Sequence, residues 1–268
     1  MERTKVTLRT LNARYQAGTP ITMVTAYDAT FARIFDDAGV DTLLVGDSLG
    51  NVIQGQTTTI PVTLDEVIYH TRAVARGTRH AHIVADLPFG SYGASVAQGV
   101  ESAVRLMKEG HAESVKLEGG AEHAELVQRL TQMGIPVVGH LGLTPQSYHL
   151  VGGYRVQGRD EAAAQKMIAD AIALQDAGAW SIVLEMVPQA LAARVTEALR
   201  IPTIGIGAGN ETSGQVLVCY DLLGLFDGFT PKFVKQFANL GEQARSAAAA
   251  YIQEVCAREF PDDDHSFQ

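Results

Sequence analysis

The chain has 268 residues, 46% of them hydrophobic, enough to bury one large α/β domain or two ordinary ones. A formal net charge of −9 and an isoelectric point near 5.3 lack the basic surplus of a nucleic-acid or membrane-surface binder, so the expected ligand is a small molecule. Cys219 and Cys256 form no CxxC pair, and no apolar run has signal-peptide form or membrane-spanning length, so a soluble protein of the reducing cytoplasm is expected.

In chain order, the amphipathic stretch TLRTLNARYQAG predicts a helix ahead of the first strand. Eight short β-branched runs follow: TMVTAYD, TLLVGDS, HIVADLP, SVKLEGG, PVVGHLG, SIVLEMV, PTIGIGAG and VLVCYDLLGLF. Between them lie helical periods such as ATFARIFDDAG, TLDEVIYHTRAVARG, VAQGVESAVRLMKEG, AEHAELVQRLTQMG, EAAAQKMIADAIALQDAG and PQALAARVTEALR, several closed by the glycine that helix C-termini favour. Eight βα units in about 250 residues predict a closed parallel (β/α)8 TIM barrel; an open doubly wound sheet uses fewer strands and an early dinucleotide-type glycine turn.

The alternation is interrupted after the fifth run by GLTPQSYHLVGGYRVQGRD, a long polar, glycine-rich loop of the kind that shapes barrel active sites. Near the end, the alanine run between Ser246 and Tyr251 reads as the interior of a long final helix. No proline-rich or low-complexity linker divides the chain, so a single domain over residues 1–268 is expected.

Barrel enzymes collect reactive groups at the C-terminal ends of their strands. The second run ends in Asp47, the third in Asp86, the fourth in Lys116 and Glu118, the fifth in His140 and the sixth in Glu185. Any one of these alone would be an ordinary solvated charge or local ion pair. Five successive strand ends carrying ionisable groups point instead to a shared site.

Side chains alternate along a strand, so Lys116 and Glu118 share a face, and the apolar helices outside require that face to look into the barrel mouth. Three carboxylates there, Asp47, Asp86 and Glu118, would repel unless a cation or raised pKa values relieve them. Oxygen-only donors favour magnesium or a similar hard ion over zinc, with positions left for water and a bidentate 2-oxo acid. Lys116 suits a substrate carboxylate, an enolate oxygen, a Schiff base, or simply an ion pair with Glu118 or a neighbour. The glycine-rich run GIGAGN lacks the lysine-threonine ending and spacing of a phosphate loop and indicates only close backbone approach.

The stretches TAYD, LVGDSLGNVIQG, TIPVTLDE, ADLPFGSY, VKLEGG, GHLGLTPQS, GGYRVQGR, LEMVP, IPTIGIGAGN and the terminal HSF closely resemble the ketopantoate hydroxymethyltransferase family over nearly the whole chain. The resemblance implies a (β/α)8 barrel of the phosphoenolpyruvate/pyruvate type. It also implies transfer of a one-carbon unit from 5,10-methylenetetrahydrofolate to 3-methyl-2-oxobutanoate in pantothenate biosynthesis, with magnesium required.

Carried over by motif, Asp47 and Asp86 are metal ligands and substrate contacts, and Glu118 is the third acidic residue, acting through water. Ser48, Lys116 and His140 bind substrate, and Glu185 is the proton acceptor. On this resemblance VGDSLG places Asp47 at a metal and Ser48 at the substrate, with Gly46 and Gly50 expected to allow a tight turn. The family also implies a cytoplasmic homodecamer built from dimers. Two other readings compete: a carbon–carbon lyase of related barrels, which uses a cysteine motif not seen around Cys219 or Cys256, and a silent scaffold, which has no use for uncompensated acids.

Overall fold

Eight apolar runs form eight strands: β1 (Ile21–Thr25), β2 (Thr42–Val45), β3 (His82–Asp86), β4 (Ser114–Glu118), β5 (Val137–Gly142), β6 (Ser181–Glu185), β7 (Thr203–Ile206) and β8 (Gly214–Leu217). In this computed structural model, which describes residues 3–153, 155–226, 228 and 230–267, each strand pairs in parallel with the next. β8 returns to β1 through the register Ile21↔Gly214 to Val24↔Leu217 and closes the barrel. Tyr154 of the GGYRVQGR stretch lies outside the described residues. The strands β2, β3 and β4 are buried at every position, because barrel filling covers one face and helices the other.

The expected extra helix is α1 (Leu8–Gln16). The barrel helices are α2 (Ala29–Ala38), α3 (Leu49–Val52), α4 (Leu64–Gly77), α5 (Val96–Gly110), α6 (Ala124–Gln132), α7 (Tyr148–Val151), α8 (Glu161–Asp176) and α9 (Gln189–Ala198). Their starts are fixed locally. Asp28 accepts the backbone N–H groups of Thr30 and Phe31, Thr63 and Glu66 form a reciprocal capping box, and Ser95 and Asp160 cap α5 and α8.

The chain divides into two compact units, residues 1–218 and 219–268, and all eight strands belong to the first. The second contains α10 (Cys219–Leu222) and α11 (Leu240–Ala257), the latter being the long alanine-rich helix. The run VLVCYDLLGLF is therefore strand only as far as Leu217 and turns helical at Cys219. The loop after β5 carries a 3-10 turn at Pro145–Ser147 that leads into α7. No helix among the described residues is long and apolar enough to cross a membrane.

Register decides which strand-end groups meet. Asp86 pairs with Lys116, Glu118 with His140, and Gly142 with Glu185. By alternation Ser114, Lys116 and Glu118 face the same way, giving the interior a stack of polar levels. At its lower level His82 is 3% exposed and its Nε2 lies 2.7 Å from Ser114 Oγ, which also accepts the Trp180 indole N–H at 3.1 Å. Burial holds the His82 pKa down to about 4, with Lys5 adding to the effect and Glu113 opposing it.

A depressed histidine stabilises the fold fully above its unfolded pKa of about 6.5, and that contribution falls away as pH drops toward 4. The shift corresponds to about 3 kcal/mol over this window. Thermal melts of the parent between pH 7.5 and 4.5 are therefore expected to drop more steeply than those of His82→Gln, whose amide bonds Ser114 without taking a proton. Parallel curves would remove His82 as an acid-labile element.

Candidate active site

The site begins with two carboxylates on neighbouring strands. Asp86 closes β3, and Asp47 lies two residues beyond β2, where its backbone N–H donates to Asp86 Oδ2 at 3.0 Å. Gly46 leaves room beside it for the Ser48 side chain. A Cβ there would stand 2.8 Å from Ser48 Oγ and 3.4 Å from Asp86 Oδ2. Neither Gly46 nor Gly50 has the positive φ of a glycine-only turn, so both serve close packing, Gly50 against Val62. Ser48 stands at the start of α3 but makes no side-chain cap; its Oγ pairs with the Tyr27 hydroxyl at 2.8 Å.

Lys116, 4% exposed, places Nζ 3.0 Å from Asp86 Oδ1 and 3.3 Å from His140 Nδ1. Among the choices left open for this lysine, the resting contact is the ion pair with Asp86. His140 Nδ1 is 3.2 Å from Glu118 Oε1, and its Nε2 approaches Glu185 Oε2 at 3.3 Å without the alignment of a hydrogen bond. The imidazole thus bridges two carboxylates. Glu185 is the more open of the two, its side chain 17% exposed against 4% for Glu118.

The backbone around Glu185 is constrained on both sides. Gly142 adopts φ +94°, and a Cβ there would lie 2.2 Å from the Glu185 carbonyl oxygen. Met186, the next residue, holds φ +47°, a strained conformation for a non-glycine residue, and its N–H is tied to the Ile206 carbonyl. These contacts fix Glu185 at the rim.

The electrostatics divide the acids into two kinds. Burial, then the charges of Glu118 and Asp86, push the Asp47 carboxyl well above its ordinary pKa, against the pull of Lys116 and Gln146. Burial also raises Asp86, although Lys116 and the Asp47 N–H oppose it. Glu118 is lowered. Its burial is outweighed by His140, Lys116 and the Gln146 N–H. His140 is raised to about 9: burial and Lys116 disfavour the proton, but Glu118 and the contact with Glu185 win.

The three acids share one pocket, yet they are not equivalent. Among the described residues no three His, Cys, Asp or Glu side chains converge as a ready-made metal cage. Glu118 is committed on both oxygens, to His140 and to the Gln146 N–H at 3.0 Å. Asp86 Oδ1 is buried with no aligned hydrogen bond, and Asp47 is destabilised as an anion. A cation beside Asp47 and Asp86 would relieve both.

The structure therefore brings Asp47, Asp86, Lys116, Glu118, His140 and Glu185 to one barrel mouth, with Ser48 at its edge. In GIGAGN the glycines pack locally, Gly209 against the Gln189 side chain and Gly205 against Thr212 and Gln215, while Ile206 lies in register with Glu185. Sequence reasoning missed Tyr27, Tyr92 and Gln146, all neutral. Their signal was present, because TAYD, ADLPFGSY and GHLGLTPQS contain them.

A family model described as ketopantoate hydroxymethyltransferase matches residues 5–263. The 3-methyl-2-oxobutanoate hydroxymethyltransferase of Anaeromyxobacter sp. (strain Fw109-5) is 55% identical over 269 residues, covering 99% of this chain and 88% of that protein. The protein of the same name from Leptospira biflexa serovar Patoc (strain Patoc 1 / Ames) is 56% identical over 255 residues, 95% of each chain. The crystal structure of 2,3-dimethylmalate lyase, a PEP mutase/isocitrate lyase superfamily member, shares the fold with a TM-score of 0.59 at 15% identity, over 97% of this chain and 91% of that one. Fold, strand-end chemistry and sequence agree: the chain belongs to the ketopantoate hydroxymethyltransferase family.

Proposed function

We propose that this protein transfers a hydroxymethyl group from 5,10-methylenetetrahydrofolate to 3-methyl-2-oxobutanoate, giving 2-dehydropantoate and tetrahydrofolate, as a cytoplasmic step of pantothenate biosynthesis. The observation that carries this reading is the pair of contacts Asp86–Lys116 and Glu118–His140–Glu185 at one barrel mouth. Its support in sequence is the 55% identity to a protein bearing that enzyme's name.

Asp47 and Asp86 are the residues suited to hold magnesium, with Glu118 acting through water. Magnesium bound there supplies a Lewis acid that withdraws charge from the 2-oxo group and makes the C3 proton more acidic. Ser48 and Lys116 orient the 2-oxo acid. Glu185 takes the C3 proton as general base, and the Lys116 ammonium stabilises negative charge as it develops on the 2-oxo oxygen.

His140, charged between two carboxylates, holds Glu185 in place and stays within reach of the transferred proton. The nucleophilic C3 then attacks the folate-derived iminium carbon, and water releases tetrahydrofolate from the adduct. A homodecamer built from dimers belongs to the same proposal; a monomer by light scattering would overturn that part.

The test isolates proton removal from transfer. Protein, 3-methyl-2-oxobutanoate and magnesium in heavy water, without folate, are expected to lose the C3 proton signal in NMR, and a chelator should abolish the loss. If no exchange occurs even with a bound folate analogue, this substrate assignment fails.

A further inference from the structure

Gln146 sits in the 3-10 turn after β5, is 7% exposed, and spends every polar atom of its side chain inside the site. Its Nε2 donates to Asp47 Oδ2 at 2.8 Å and to the Leu87 carbonyl at 3.0 Å. Its Oε1 accepts the Tyr92 hydroxyl at 2.8 Å, and its backbone N–H donates to Glu118 Oε2 at 3.0 Å. The amide orientation is forced: the Leu87 carbonyl can only accept, so the NH2 end must face it, and Asp47 Oδ2 lies at that same end. Tyr92 is fixed in turn, because its oxygen accepts the Glu118 backbone N–H at 3.0 Å.

One turn therefore ties the Asp47 carboxylate on the β2 side to the Glu118 carboxylate on β4. The consequence is a division of oxygens. Asp47 Oδ2 and both Glu118 oxygens are engaged in this network, which leaves outside it Asp47 Oδ1 and Asp86 Oδ1, the latter facing the Lys116 ammonium at 3.0 Å.

We propose that Gln146, steadied by Tyr92, is a positioning residue that sets the metal-binding geometry, presenting Asp47 through one oxygen and keeping Glu118 out of direct coordination. This rests on the divalent-cation reading above. A neutral amide suits the task, since a fourth anion would add repulsion and a cation would compete with the metal.

The probe is Mn2+ added to the full chain without organic substrate, with free ion read by its electron paramagnetic resonance signal. The parent should bind, and Gln146→Ala should bind about tenfold or more weakly, as loss of an outer-shell partner generally does. Gln146→Asn, which keeps the amide but cannot span from Asp47 to Tyr92, should also weaken binding. Tyr92→Phe should cause a smaller loss that disappears on the Gln146→Ala background, because Tyr92 acts through the glutamine.

Affinities of Gln146→Ala and Tyr92→Phe within about twofold of the parent would overturn the proposal, as would a full additive loss in the double variant. If Gln146→Ala does not fold, Gln146→Asn and Tyr92→Phe decide by the same criterion. A parent that binds no Mn2+ removes the metal reading itself, whereas a binding parent with unaffected variants removes only the role of Gln146.

Discussion

Glu185→Gln is expected to lower turnover by about 10²- to 10⁴-fold, the range set by loss of a positioned general base. The substitution is isosteric, so the 3.3 Å approach to His140 and the local backbone held by Gly142 and Met186 persist. What disappears is the ability to take a proton. Binding of 3-methyl-2-oxobutanoate, followed by calorimetry with magnesium present, should stay near the parent value, because Asp47, Asp86 and Lys116 are unchanged. Loss of the C3 proton in heavy water should fall in step with turnover. An exchange rate equal to the parent's would remove Glu185 as the base and turn attention to His140, the other group in contact with it.

Much of this site was legible before any coordinates. Alternation along β4 puts Lys116 and Glu118 on one face, and the need for apolar contact outside the barrel sends that face inward; both follow from strand geometry alone. The pairing of Asp86 with Lys116 and of Glu118 with His140 did not follow, because barrel stagger sets register and no local pattern encodes it. The difference between Glu118 and the two aspartates was hidden for a related reason. It depends on where hydrogen bonds end, and the donors include a buried glutamine, neutral and unremarkable by composition. Gly46 and Gly142 were both visible as glycines, yet only contact shows that one leaves room for the Ser48 hydroxyl and the other for the Glu185 carbonyl.

Lys116→Met carries the second large expectation, and here stability and chemistry fail together. The ammonium is the cation nearest Asp86, and attraction to Asp86, Glu118 and Asp47 raises its pKa in spite of burial. Methionine fills most of the same volume without charge, so the principal change is electrostatic. Removing one partner of a buried ion pair costs about 3–5 kcal/mol, because the other charge remains desolvated. For a folding unit of this size that corresponds to a fall in Tm of roughly 6–20 °C.

A divalent ion that binds only the folded site stabilises it by mass action, so magnesium should raise the Tm of Lys116→Met more than that of the parent, whose lysine already offsets part of the negative charge. Exchange of the C3 proton should stay far below the parent rate even at saturating magnesium, because no ammonium remains beside the developing oxyanion. A Tm within about 2 °C of the parent without metal would mean that the carboxylates are relieved by protonation and not by Lys116. Exchange restored by magnesium alone would confine this lysine to structure, leaving the cation site to carry the negative charge of the reaction unaided.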